Sequence, residues 1–469
     1  MIYDYAIFGG GVVGCAILNK LTRCDKKAIL LEKALDVATG QSKANSGLVH
    51  AGFDAKENSL KAKLNVRGNF LMSKLCKELK VPLIESGAIV VSEDFESVQK
   101  LFERGKNNGV NGLELLSNEK IYEKVPNLKK KYRFGLFAKT AKLISPYMFT
   151  IALAEEAVIN GAKVVFDFET IKIEKKDNVF NIYSNSSVIK AKRIINCAGF
   201  GVNEILKLLN IEELDLEFRR GEYFVLDKTA SNFVSLSVFP TPSKFGKGIL
   251  ATPTVDGNLL FGPNNELGKY STETTTFGLN EVKNAINNMY DNVPWNKVIR
   301  NYSGVRVSCG DDFVIKLCEK DNDIAIVAGI NSPGLSSSPA IAEYVCKLFN
   351  VDCEEREMKA REDYSPIKTM SLKERNRLIS AQPNFGKIVC KCEEISEGEI
   401  LKAINSPLKP MTVDAIKRRV RTGMGRCQGG YCMMKVASLL AKQMGVSLEN
   451  VFKEQKNSNI VLKDFEYDI

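Results

Sequence analysis

The chain has 469 residues, enough for two to four domains, and 44% of them are apolar, as sizeable globular cores require. There is no run of 18 apolar residues, and a strand pattern begins almost at Met1, so neither a membrane span nor a signal peptide is expected and the protein reads as cytoplasmic. The net charge of +10 comes from 66 basic and 56 acidic residues, largely interspersed and without aromatic interleaving, which sets nucleic acid aside and leaves an acidic partner or anionic lipid open.

An apolar run over 3–8 enters Gly9-Gly10-Gly11-Val12-Val13-Gly14 and continues as Cys15-Ala16-Ile17-Leu18, which predicts strand, glycine turn and helix. In that spacing Gly9 makes the turn, Gly11 admits a pyrophosphate against bare backbone, and Gly14 brings helix close to strand. A second strand over 27–31 ends at Glu32, placed to accept ribose hydroxyls. The pattern predicts a dinucleotide site. Glu32 disfavours the extra phosphate of NADP but suits FAD and NAD equally.

The loop 39–52 is small and polar and holds His50, the one histidine of the chain, between Gly47 and Gly52. His50 is a candidate for proton transfer at the reacting centre, or for holding the loop. A helix is expected over 60–79, a strand at 88–91 and a charged helix over 95–105, within a segment that covers the site. A helix over 147–160, a strand over 163–166, a small antiparallel crossover over 171–191 and a strand over 193–197 return to the parallel sheet, with a second glycine turn at Gly199. A second excursion over 216–304, with strands at 222–226, 248–252 and 258–262, suggests a sheet roof over a pocket. Lys244 to Gly248 reads either as an anion-facing loop or as a solvated turn. Arg306, among glycine and apolar residues, reads as a fork for a carboxylate or phosphate or as an internal ion-pair residue. Arg219 or Arg220 is a candidate assistant, and Tyr223 a candidate pocket wall. A strand over 324–329 and a helix over 340–349 supply another helix N-terminus near the cofactor.

Eight of the twelve cysteines, Cys24 and Cys353 among them, are dispersed and read as reduced thiols. The other four form two close pairs, Cys390 with Cys392 and Cys427 with Cys432, amid three expected short helices. Four such thiolates suit zinc or an iron-sulfur cluster. The basic run Lys417, Arg418, Arg419, Arg421 and Arg426 could offset cluster charge, dock an acidic partner or form a solvated face.

DYAIFGGGVVG, NSGLVHAGF, RRGEYFVLD, PTVDGNLLFGPN, YSGVRVS and INSPGLSSSPAIAEYV together resemble the FAD-dependent oxidoreductases of the D-amino-acid-oxidase superfamily, nearest to anaerobic-type glycerol-3-phosphate dehydrogenases and their L-2-hydroxyglutarate oxidase relatives. KIVCKCEEISEGEI and RTGMGRCQGGYC resemble the bacterioferritin-associated-ferredoxin-like [2Fe-2S] domain. The resemblance implies an α/β and α+β protein. A Rossmann-like FAD domain (1–80, 145–215, 305–350) carries a discontinuous β-rich substrate cap (81–144, 216–304), a linker (351–387), a small helical iron-sulfur domain (388–445) and a tail (446–469). It implies FAD on Gly9, Gly11, Gly14, Glu32, Ser46, Gly47, Leu48, Gly199, Gly334, Leu335 and Ser336, and a [2Fe-2S] cluster on Cys390, Cys392, Cys427 and Cys432. His50 and Arg306 become the catalytic candidates for hydride transfer from a small anionic hydroxylated substrate, sn-glycerol 3-phosphate first and L-2-hydroxyglutarate as the alternative. A redox partner protein or additional dehydrogenase subunits would take the electrons, with any membrane association made through them; an electron-transfer scaffold is the non-enzymatic alternative.

Overall fold

A computed structural model describes residues 1–241, 248–268, 270–364 and 366–462. The loop expected at Lys244 to Gly248 lies, but for Gly248, outside these residues.

The first strand forms at Ile2–Phe8 and runs parallel between Ala28–Leu31 and Val188–Asn196. Lys163–Val165 extends this eight-stranded sheet on one side, and Asp321–Ala328 joins Ile194 to Asn196 on the other. The crossover strands Lys172–Lys176 and Val179–Tyr183 are antiparallel, as their alternating pattern predicts. Successive side chains of a strand face opposite ways, so the sheet serves two cores. Tyr5, Ile7, Leu30, Ala325 and Val327 pack with the helices Val12–Arg23, Pro146–Ile159 and Gly334–Leu348. Ala6, Phe8, Ile29, Leu31, Ile324 and Ile326 pack beneath the crossover and the helix Val202–Leu208.

Both excursions build one further sheet of nine strands, joined where Ser237–Pro240 runs parallel to Ala88–Ser92. Its longest pair is Glu217–Leu226 with Val298–Ser308. Arg306 therefore sits within the roof, and the chain leaves the roof after Ser308 rather than at 305. The helix Thr276–Met289 is invisible to periodicity because Asn280, Asn284, Asn287 and Asn288 are weak helix formers. Capping by Thr275 and burial of Val282, Ile286 and Met289 hold it in place.

The expected linker is a packed strap. The Arg356 amide donates to the Arg23 carbonyl at 2.9 Å, and the buried Arg361 reaches Glu155 at 3.2 Å. Charge in this stretch is thus spent on inward pairing, and the helix Leu372–Ala381 follows on a Ser371–Glu374 capping box. The expectation of reduced thiols fails at one pair, because the strap returns Cys353 to the end of the first helix, where it is disulfide-bonded to Cys24 with the Cα atoms 4.6 Å apart. A separation of 329 residues hides this pairing from the sequence.

The cysteine domain begins with a hairpin, Ile388–Cys390 with Ile395–Ser396, and continues through the helices Glu397–Ile404, Val413–Val420 and Met433–Met444 around their own apolar core. Among the described residues no helix is long and apolar enough to cross a membrane.

Candidate active site

A cleft of about 1010 Å³ lies between the parallel sheet and the roof. Its floor is the first glycine turn. A side chain at Gly14 would place Cβ 2.0 Å from the Gly9 carbonyl oxygen, so only glycine lets the helix start this close to the strand. Gly11, the N-cap, offers no side chain, and the Ser42 hydroxyl accepts from the Val12 amide at 2.8 Å. Glu32 accepts from the amides of Gly10 at 2.5 Å and Ala34 at 2.8 Å, while burial pushes its carboxyl above the usual range. It thereby pins the turn as well as facing the cleft. Ser42 escapes the sequence reading, although it lies in the loop flagged for small polar residues.

Of the remaining cofactor candidates, Gly9, Ser46, Leu48, Gly199, Gly334, Leu335 and Ser336 line the cleft. Gly47 and Gly14 act behind the wall: the Ile144 amide donates to the Gly47 carbonyl at 2.9 Å, tying the loop to the start of the Pro146–Ile159 helix.

His50 and Arg306 face the same cleft from opposite layers. The His50 backbone is fixed on both sides: its amide donates to the Ser336 hydroxyl at 2.7 Å, and its carbonyl accepts from Asn69 at 3.1 Å. The ring Nε2 lies 3.4 Å from the Ser332 hydroxyl. Backbone partners therefore hold the loop, and the ring lies at the cleft. Ser332 is not singled out by the sequence; its only signal is the position before Pro333 and the glycine of the next helix.

Arg306 donates to the Asn264 carbonyl at 3.1 Å and to Asn265 Oδ1 at 2.9 Å. No carboxylate among the described residues pairs with it. Burial lowers its pKa, and the neighbouring Arg219 lowers it further, against the opposite pull of Tyr223. The strand register sets Arg219 directly across from Arg306, with both lining the cleft. Like charges opposite one another destabilise a sheet, so this pairing is suited to an anion between them. Arg220 points the other way, fully buried and paired with Glu266 at 2.6 Å and Glu222 at 3.4 Å. Tyr223 lines the cleft and stacks on Tyr302, ring centroids 4.7 Å apart.

In the C-terminal domain Cys390 lies beside Cys432 and Cys392 beside Cys427. The first pair is buried and the second exposed. The Cys432 thiol holds Cys390 down at about 6 against the effect of burial, aided by the amides of Gly423 and Glu393. Sharing with Cys390 raises Cys432 in turn. A Cβ on Gly425 would lie 2.3 Å from that of Cys392, so glycine alone lets the loop close over this thiol. Among the described residues no three potential ligands converge on one point as a single ion requires. Four thiols in two facing pairs are the donor set that a [2Fe-2S] group takes.

Most of the basic run turns inward. Arg418 and Arg419 are buried against Asp36 at 2.9 Å, and Arg419 lies 3.4 Å from Glu155. Arg421 binds Asp256, Asn258 and Glu393, and Arg426 binds Asp227. Asp36 follows Glu32 by four residues, so the cysteine domain grips the cofactor loop itself. Tyr147 completes the seam, donating to the Met424 sulfur at 3.4 Å.

Residues 4–348 match the family model for FAD-dependent oxidoreductases of the DAO type, and residues 388–442 match that for BFD-like [2Fe-2S]-binding domains. A glycerol 3-phosphate dehydrogenase of Caloramator mitchellensis is 41% identical over 473 residues, covering 98% of each chain. A mitochondrial L-2-hydroxyglutarate dehydrogenase of Arabidopsis thaliana is 28% identical, over 74% of this chain and 83% of that one. The FAD-bound, dithionite-reduced L-α-glycerophosphate oxidase of Mycoplasma pneumoniae superposes with a TM-score of 0.71 at 27% identity, covering 76% of this chain and 97% of that one. The family match spans both excursions as well as the sheet beneath them, and on that ground the chain belongs to the DAO family of FAD-dependent oxidoreductases, extended by a BFD-like [2Fe-2S] domain.

Proposed function

We propose that the protein is a glycerol-3-phosphate dehydrogenase, oxidising sn-glycerol 3-phosphate to dihydroxyacetone phosphate and delivering the electrons to an acceptor protein. The observation that carries this reading is the 41% identity to the Caloramator mitchellensis dehydrogenase across the whole chain, cysteine domain included. The cleft supports it, because Arg306, paired with no described carboxylate, and the opposed Arg219, shared with Glu217, suit a phosphate dianion.

In this reading Gly9, Gly11 and Gly14 leave room for the pyrophosphate of FAD, and Glu32 takes the ribose side. Ser46, Gly47, Leu48, Gly199 and Gly334 to Ser336 complete the walls. FAD supplies the hydride acceptor for the carbinol carbon. Arg306 and Arg219 fix the phosphate, which sets the distance of that carbon from the acceptor. His50 Nε2 receives the hydroxyl proton, and the Ser332 hydroxyl steadies the ring. Cys390, Cys392, Cys427 and Cys432 hold the cluster.

A dicarboxylate also fits paired arginines, so substrate choice is tested directly. Anaerobic mixing with sn-glycerol 3-phosphate should bleach the flavin, and L-2-hydroxyglutarate should not. Bleaching by the hydroxy acid alone would transfer the assignment to it; bleaching by neither would favour an electron-transfer scaffold. Metal analysis after anaerobic purification should find about two irons with acid-labile sulfide per chain. A single zinc without sulfide would rule the cluster out.

A further inference from the structure

We propose that the exposed rim of the cysteine domain, formed by Lys391, Tyr431 and Lys435 beside Cys392 and Cys427, is the docking face for an acidic one-electron carrier protein. The proposal rests on the reading above that electrons leave through a protein.

Three observations converge on this rim. Cys390 and Cys432 are buried while Cys392 and Cys427 are exposed, so one side of the thiol set is open to a partner. The arginines expected to attract such a partner are consumed elsewhere: Arg418, Arg419 and Arg421 are buried in the seam with Asp36, Glu155, Asp256 and Glu393. The ammonium groups of Lys391 and Lys435 lie 4.8 and 5.0 Å from the centre of the Tyr431 ring, which is itself half exposed. No carboxylate among the described residues pairs with either lysine.

Tyr431 thus gathers two cations around its ring, and Met434, 44% exposed, lies one residue before Lys435. Aromatic and methionine side chains with a basic rim form a surface suited to a protein partner. The complementary surface is acidic. Charge of this kind steers encounter and fixes orientation more than it adds affinity, as a carrier that must dock and leave requires. Each docked carrier gains one electron, so two are reduced for every alcohol oxidised to a ketone, with no bond made or broken at the rim.

The test uses the full-length holoenzyme and an acidic plant-type [2Fe-2S] ferredoxin as probe, with affinity measured by calorimetry at about 50 and about 200 mM salt. A basic cytochrome c serves as the opposite-charge probe. Ferredoxin should bind, weaken at the higher salt, and lose affinity about tenfold or more in the double variant K391E/K435E. The control K176E/K190E, with the same change in net charge at two exposed lysines of the strands Lys172–Lys176 and Val188–Asn196, should bind as the parent does. The proposal is overturned if ferredoxin fails to bind the parent, if K391E/K435E binds it unchanged, if both double variants lose affinity equally, or if cytochrome c binds more tightly. Electron exit is read separately. Ferredoxin that binds the rim yet leaves substrate-bleached flavin reduced would refute the acceptor reading while the docking face stands.

Discussion

Replacing Asp36 with alanine should cost about 3–5 kcal/mol and detach the cysteine domain from the parallel sheet. The side chain is buried and accepts from both Arg418 and Arg419, so its removal leaves two guanidinium groups facing each other with only Glu155 and Glu454 nearby. Burial pushes the Asp36 carboxyl up, and the two arginines more than offset this, holding it below its ordinary range. A carboxylate depressed on folding stabilises the protein above its unfolded value of about 3.9, and that contribution disappears as pH falls through the folded value. The gap between parent and variant should therefore be full at neutral pH and close in strong acid. Differential scanning calorimetry with FAD release followed in parallel reads both effects. One shared transition should become two in the variant, the cysteine domain melting first. A variant that melts with the parent at pH 7 would show that the seam does not hold the domains together.

The second large effect concerns the cleft. Arg306→Ala should remove about 2–4 kcal/mol of transition-state binding, raising the substrate concentration needed for saturation and slowing flavin reduction. Arg219→Ala should do less, because Arg219 is shared with Glu217 at 2.6 Å. His50→Asn should leave saturation nearly unchanged and slow the reduction itself by about 10²–10⁴-fold. FAD should stay bound in this variant, since the His50 backbone is tied to Ser336 and Asn69 whatever the side chain. Stopped-flow flavin reduction is the appropriate measurement, because turnover also includes electron export. Parent rates at all substrate concentrations in both the Arg306 and His50 variants would remove these assignments, and loss of FAD from His50→Asn would make the ring a structural element.

What could be read from the chain follows from how far each signal reaches. The glycine turn and the period-two crossover are local patterns, and each forms where the sequence puts it, while the cysteines sit beside partners from the other close pair, Cys390 by Cys432 and Cys392 by Cys427. Arg219 and Arg220 could not be told apart, because strand alternation sends neighbours to opposite faces and only the pairing with Val298–Ser308 says which face is the cleft. The union of the two excursions through Ser237–Pro240 and Ala88–Ser92, the bond from Cys24 to Cys353, and the inward use of the basic run are all long-range facts with no local trace. A stretch of arginines looks the same whether it meets solvent, a partner or a distant aspartate of its own chain.

That last contact also orders events in time. Asp36 and Arg418 are separated by 382 residues. At a synthesis rate of about 5–20 residues per second, the aspartate emerges roughly 20–80 s before its counter-charges exist. Until then Asp36 cannot be buried as a carboxylate without a large desolvation penalty. A ribosome carrying the first 350 residues holds every glycine of the cofactor cradle but none of the arginines that neutralise the aspartate behind it.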